Sequence, residues 1–208
     1  MKILGKKFYV RDTLIAAQGL LGKLIVKSEN NGRVTSGVIV ETEAYLGLND
    51  KACHAYNKTT GRSRFLYSEG GVSYVYFIYG NYYCFNVVTE EAGTGAAVLI
   101  RAVEPVEGID IMKRRRKNIK KPEDLTNGPA KFCLAFGIGK QHNQLELTAP
   151  GGIIGIYDTG KNNFDIMQSR RIGIVKSAYL PYRYFIKDNP YVTKHKLNTN
   201  AINLKYNG

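Results

Sequence analysis

A chain of 208 residues, 44% of them hydrophobic, is long enough to bury one sizeable core, and no Pro/Gly/Ser-rich linker divides it, so residues 1–208 read as one domain. Nowhere do about 18 apolar residues follow one another, and "MKILGKKFYV" starts basic without an apolar run of secretory length; the expectation is a soluble, cytoplasmic protein without a membrane span. A formal charge of +13 favours a polyanionic partner, nucleic acid before an anionic membrane surface, while isolated Cys53, Cys84 and Cys133, with three histidines outside any metal-ligand spacing, argue for reduced buried thiols and against a disulfide framework or a metal site.

In chain order, "RDTLIAAQGLLGK" (11–23) predicts a helix with Asp12 or Thr13 at its start and an end near Gly22. "KLIVKSE" and "RVTSGVIVETEAYLG" follow as strands separated by the turn "NNGR". Between Gly47 and Ser73 lies a long polar stretch rich in turn formers, and a loop of that length in a compact domain is often functional. "YVYFIYGNYYCFN" (74–86) is an aromatic hairpin. Gly80-Asn81 suits a two-residue turn, with Tyr79 and Tyr82 flanking an exposed tip where a tyrosine has little core to enter. "GAAVLIRAVEP" (95–105) is a buried-type strand ending before Pro105; "EGIDIMK" is a short helix, and "KRRRKNIKK" (113–121) is a solvated loop adding to the general field. "LTNGPAKFCLAFGI" (125–138) is a helix capped by Thr126 or Asn127 with Pro129 in its first turn. "GGIIGIYDTG", "RRIGIVKS" and "YRYFIKDNPYV" are strand-like, and the Asn-rich tail after about residue 196 is expected to be loosely ordered. Strands following one another through turns, with helices interspersed, give an α+β fold: a curved, largely antiparallel sheet with flanking helices and a protruding hairpin.

Period-two alternation in "VIVETEAYLG" puts Glu41, Glu43 and Tyr45 on one strand face. That is either an exposed edge with solvated carboxylates or the site of a general base at a strand end, next to a loop bearing His54. Arg101 interrupts an apolar run and requires an anion: either it forms a structural pair with a carboxylate such as Glu104, or it reaches a phosphate or helps hold an attacking water beside Glu43. Lys131, near a helix N-terminus, is a phosphate contact or simply exposed.

The ordered motifs "VETEAYLG…DKACHAY", "GVSYVYFIYGNYYCFNVV", "VLIRAVEP", "LTNGPAKFC" and "RRIGI", spread over residues 10–193, resemble the alkyladenine (3-methyladenine) DNA glycosylase family of mammals and many bacteria. The resemblance implies a base-excision-repair enzyme that flips alkylated or deaminated purines (3-methyladenine, 7-methylguanine, hypoxanthine, ethenoadenine) out of duplex DNA and hydrolyses the N-glycosidic bond. It assigns Glu43 as the base that activates water, Arg101 as the arginine near that water and the adjacent phosphate, and the carbonyl of Ile172 as an aid in orienting it. It assigns Tyr45, His54 and Tyr76 to the base pocket, with Asn86 discriminating against the amine of normal guanine. Tyr79 becomes the wedge that fills the vacated space, and Tyr82, Arg62, Arg64 and Lys131 become DNA contacts. The same resemblance implies a monofunctional enzyme without cofactor or metal, a monomer, working on double-stranded DNA of a bacterial nucleoid in the cytoplasm and not on membranes. The rival reading is a non-catalytic module that binds damaged or distorted nucleic acid with the same charge and hairpin.

Overall fold

The computed structural model describes residues 1–29 and 32–204. In chain order the elements are β1 (Lys2–Ile3), α1 (Lys6–Tyr9), α2 (Thr13–Gly19), β2 (Leu24–Ser28), β3 (Val34–Tyr45), β4 (Ser73–Ile78), β5 (Tyr82–Thr89) and β6 (Ala96–Glu107). They continue with α3 (Ile109–Arg115), α4 (Pro129–Phe136), β7 (Ile154–Asp158), β8 (Ile166–Ser169), β9 (Arg183–Ile186) and β10 (Ile202–Leu204). The fold is α+β, as the sequence predicts, built on one large open sheet whose main path runs β1-β7-β2-β3-β6-β5-β4, with β9, β8 and β10 branching from β3. Every pairing among the described strands is antiparallel.

The branch is what positions the site. On one edge, β3 pairs with β2 through its first half and with β9 through Glu41, Thr42 and Glu43; on the other it pairs with β6 throughout. The register with β6 slips between Ile39 and Thr42, leaving Arg101 without a cross-strand partner residue. Such irregularities bend a strand and re-aim its side chains. Here the guanidinium comes onto the face of the two glutamates. Both carboxylates are fully buried, so the exposed-edge alternative is excluded: alternation tells which residues share a face, not whether another strand covers it.

Helices close the core from outside. Asp12 caps α2, its Oδ1 accepting from the N–H groups of Leu14 and Ile15 at 2.9 and 3.0 Å. The helix stops at Gly19, and Gly22, with φ +77°, turns the chain into β2. Ala16, Ala17, Leu20 and Leu21 pack with Phe132, Ala135 and Phe136 of α4 in the main apolar cluster. A second cluster, made of Cys53, Ala55, Leu66, Tyr74, Val88 and Ala97, fixes the 47–72 stretch against the hairpin sheet. All three cysteines are free and buried.

Several expectations are corrected. The hairpin pairs Ile78 with Tyr82, so its loop has three residues, Tyr79 to Asn81, and Tyr79 sits in the turn at φ +51°. The strand predicted to end before Pro105 runs on to Glu107, because Pro105 falls beside the Ser36/Gly37 irregularity, where a missing N–H costs no regular ladder bond. Gly128 replaces Thr126 or Asn127 as the cap of α4, because Thr126 donates to the Val103 carbonyl and Asn127 accepts from Lys131. "RRIGIVKS" lies outside the strands and forms turns, since Arg171 and Ile172 bond to β3 and its following loop instead of a neighbouring ladder. The tail is ordered at least to Leu204, where β10 pairs with β8. Asn30 and Asn31 of the "NNGR" turn lie outside the described residues, as do residues 205–208.

Candidate active site

A four-charge network lies at the β3–β6–β9 junction. Glu41 accepts Nε–H bonds from Arg101 at 2.9 Å and Arg183 at 2.7 Å, and its Oε2 accepts from the Thr193 amide at 2.8 Å. Burial alone would raise the Glu41 carboxyl above its ordinary range, but Arg101 and Arg183 outweigh that and hold it below. Glu43 sits two residues on. Its Oε1 accepts from the Ile172 amide at 2.7 Å, and its Oε2 from the Tyr45 hydroxyl at 2.8 Å with the Arg101 Nη1 3.2 Å away. Arg101 therefore spans both carboxylates, and the anticipated Glu104 partner is taken instead by Asn189. Burial works against the charge of Arg101, but Glu43 and Glu41 more than compensate and raise its pKa.

The two glutamates thus differ in kind. Glu41 is saturated by two arginines and an amide, deep in the sheet. The three groups that hold Glu43 (Tyr45, Arg101 and Ile172) all line a cavity of about 370 Å³. Ile78 and Tyr79 of the hairpin also line it, as do Gly128 to Lys131 at the start of α4. Glu43 itself does not reach the cavity surface; its carboxylate lies directly behind its three partners.

A second cavity, about 210 Å³, shares Tyr45, Tyr76, Ile78 and Ile174 with the first. Its remaining walls include Cys53, His54, Arg62, Tyr74, Phe77 and Asn86. His54 and Tyr76 meet edge to face at 4.6 Å between centroids. His54 Nδ1 lies 2.9 Å from the Tyr74 hydroxyl, and its Nε2 faces Arg62 Nη2 at 3.3 Å. Because a guanidinium only donates, Nε2 accepts and the proton of the neutral ring sits on Nδ1. Burial first, then the charges of Arg62 and Lys58, lower the His54 pKa to about 4. Asn86 is buried, its Nδ2 donating to the Tyr74 carbonyl at 3.0 Å.

This fixes one expected result. An NMR titration of His54 should show a midpoint near pH 4; a midpoint at the unperturbed value of about 6.5 would mean that burial and the Arg62 charge do not disfavour its protonation. Between those values the unfolded chain binds the extra proton and the folded one does not, so this group makes stability rise with pH through that window.

The predicted DNA contacts separate. Tyr79, 83% exposed, stands at the hairpin tip with Tyr82 exposed beside it, and Tyr79 also borders the larger cavity. Arg62 belongs to the smaller cavity, its guanidinium 5.3 Å from the Tyr76 ring centroid. Arg64 covers Phe65 and lines neither cavity. Lys131 lines the larger one, with Nζ donating to Asn127 Oδ1 at 2.6 Å. Sequence reasoning missed Asp50, Tyr74, Arg171 and Arg183. The adjacent arginines of "RRIGI" were a usable signal for a buried cation, but Asp50, in a polar loop, carried none.

Residues 7–190 match the family model described as methylpurine-DNA glycosylase. The chain belongs to the methylpurine-DNA glycosylase family. As a member of that family it is a DNA glycosylase, which sets aside a non-catalytic binding module. Its relatives agree in length and character. A protein of Clostridium botulinum (strain Alaska E43 / Type E3) named "Putative 3-methyladenine DNA glycosylase" is 47% identical over 203 residues, covering 92% of this chain and 99% of its own. One of the same name from Francisella tularensis subsp. tularensis (strain FSC 198) is 47% identical over 184 residues, covering 88% and 94%. A third, from Clostridium perfringens (strain SM101 / Type A), is 43% identical, covering 92% and 98%.

Proposed function

We propose that this DNA glycosylase excises 3-methyladenine and related alkylated or deaminated purines from double-stranded DNA by direct hydrolysis, with Glu43 as general base. The observation that carries the reading is the larger cavity, lined both by the exposed Tyr79 and by the three groups that hold Glu43, with the aromatic cavity of His54 next to it behind the shared walls Tyr45 and Tyr76. A base inside the stack is unreachable, so the nucleotide must rotate out. The purine enters among Tyr45, His54 and Tyr76, with Asn86 beside it, and its sugar comes to lie toward Arg101 and Ile172.

The chemistry follows from charge. Water attacks C1′, Glu43 takes its proton, and the C1′–N bond breaks with its electron pair leaving on the purine. A methylated purine already carries a positive charge that this step cancels, so no acid is required. Tyrosine faces favour that cationic base over a neutral one. Water approaches from the cavity side, where rotation of the Tyr45 O–H toward an entering base leaves an Oε2 lone pair free to accept from it. Arg101 then serves two roles, holding the Glu43 carboxylate in place at 3.2 Å and presenting a cation to the phosphate next to the flipped sugar. Arg64 and Tyr82 contact the flanking backbone, the single domain acts as a monomer, and its field of +13 draws it to chromosomal DNA.

Incubation with duplexes bearing 3-methyladenine, 7-methylguanine, hypoxanthine or ethenoadenine, followed by hot alkali, should break the strand at the lesion. Without alkali the strand stays whole, and borohydride traps no adduct, because the Lys131 ammonium is engaged with Asn127 and Asp124 rather than acting as a nucleophile. No alkali-labile site on any of the four would end this reading.

The wedge gives a separate expected result. Tyr79→Ser removes the ring that fills the gap, so flipping loses stacking compensation of up to a few kcal/mol. Excision should fall most for lesions in stable pairs and least for those opposite a mismatch. Equal losses on every duplex would take the wedge role away from Tyr79. Because its φ of +51° is disfavoured for a bulky residue, the ring is held at the tip against a local backbone cost.

A further inference from the structure

Arg171 lines neither cavity, yet it touches the end of β3, the loop that leads to His54 and the turn that carries Ile172. Its guanidinium is fully buried against Asp50: Nη1 donates to Oδ2 at 2.6 Å and Nη2 to Oδ1 at 2.7 Å, a two-pronged pair. Nη1 also donates to the carbonyl of Ala44, the residue after Glu43, at 2.8 Å. The flat face of the guanidinium covers the Tyr45 ring, 4.5 Å from its centroid, with Tyr182 at 5.6 Å. Its next residue is Ile172, whose amide holds Glu43. Asp50 in turn accepts from the amides of Leu46 and Ala52, and its carbonyl accepts from the Cys53 amide, which fixes the turn leading to His54.

We propose that the Arg171–Asp50 pair is a positioning device for excision, holding the Ile172 amide on Glu43 and the Tyr45 ring against the base cavity. The inference rests on the reading of Glu43 as general base. One cation joins the end of β3, the His54 loop and the 170–177 turn, none of which shares a strand ladder with both of the others in this region. A buried ion pair adds little net stability over an apolar pair of equal volume, so its advantage here is geometric. Lysine cannot supply it, because the ammonium lacks the planar fork and the stacking face. Asp50 also neutralises the guanidinium, so the ring of Tyr45 keeps its electron-rich outer face for a cationic purine. Tyr45, Arg101, Cys84 and Arg171 are the charged or titratable groups facing Glu43 from β3, β6, β5 and the turn, and of these Arg171 acts on Glu43 through the neighbouring amide rather than by contact.

The test replaces the pair without leaving either charge alone. With Arg171→Met and Asp50→Asn together, lesion-duplex binding should be retained, while single-turnover excision at saturating enzyme falls about 30- to 100-fold, the scale of a reacting group misplaced by about 1 Å. The Ile172 amide proton should move upfield as its bond to Glu43 loosens, a change that loss of global stability alone would not produce. Arg171→Lys with Asp50 intact should give an intermediate rate and a partial amide shift. Wild-type excision by the double variant with an unmoved Ile172 resonance would overturn the proposal. If the double variant does not fold, Arg171→Lys decides alone: a reduced rate with a shifted amide supports the device, and wild-type behaviour overturns it. Wild-type protein and Glu43→Gln are run alongside. Should wild type release no base, or Glu43→Gln release it normally, the general-base reading fails, while the Ile172 resonance still reports whether Arg171 holds that amide.

Discussion

Glu43→Gln should leave a folded protein that binds lesion-containing duplex and releases almost no base. The expected loss in single-turnover rate is about 10²- to 10⁴-fold, the usual worth of a positioned general base, or about 2.7 to 5.5 kcal/mol of transition-state stabilisation. Shape is conserved, so binding is not at issue. What changes is the loss of an atom able to take the proton of water, together with a local mismatch. If the glutamine oxygen keeps the Ile172 amide, its NH₂ faces Tyr45 and Arg101; the tyrosine hydroxyl can turn to accept, but the guanidinium cannot. Arg101 still has Glu41 at 2.9 Å, so it is not left without an anion, and only modest destabilisation should accompany the kinetic loss. Measured below the melting transition with lesion duplex in excess of its dissociation constant, normal excision would remove Glu43 from its role.

The two strand carboxylates show how far a sequence can be read and where it stops. Alternation placed Glu41, Glu43 and Tyr45 on one face, and the apolar run around Arg101 demanded an anion; both inferences need only local geometry and the cost of burying charge. Which glutamate is structural could not follow from them, because the answer lies in β9, some 140 positions later, which brings Arg183 to Glu41. The Arg171–Asp50 pair was invisible for the same reason, and "RRIGI" read as a strand because its apolar alternation is real while its hydrogen bonds go elsewhere. The hairpin was legible as a hairpin, but Gly80-Asn81 suggested two residues where the pairing of Ile78 with Tyr82 leaves three. That shift moves Tyr79 from beside the turn into it and exposes the ring more than the simpler turn would. The loop at residues 47–72 read as functional from length alone, and it supplies His54, Arg62 and Cys53 to the smaller cavity.

The same substitution two residues earlier should act on a different quantity. Glu41→Gln removes the charge shared by Arg101 and Arg183, both buried, leaving Glu43 as the nearby carboxylate for two guanidiniums. Breaking one side of a buried pair costs about 3 to 5 kcal/mol, because the remaining charge stays out of water without its partner. For a chain of this size that corresponds to a fall in melting temperature of roughly 6 to 20 °C. Excision per folded molecule should suffer less than in Glu43→Gln, since Oε1 and Oε2 of Glu43 keep their Ile172 and Tyr45 partners. The pH dependence separates this from a packing defect. Glu41 has a folded pKa below its ordinary 4.5, so its contribution is complete above that value and is lost as pH falls through the folded pKa. Wild type and variant should therefore differ most near neutral pH and draw together in acid. Calorimetric melting of both proteins from neutral pH down to about pH 3 measures the gap. A gap that stays constant over that range would mean that the carboxylate charge at position 41 is not what holds the two arginines in place.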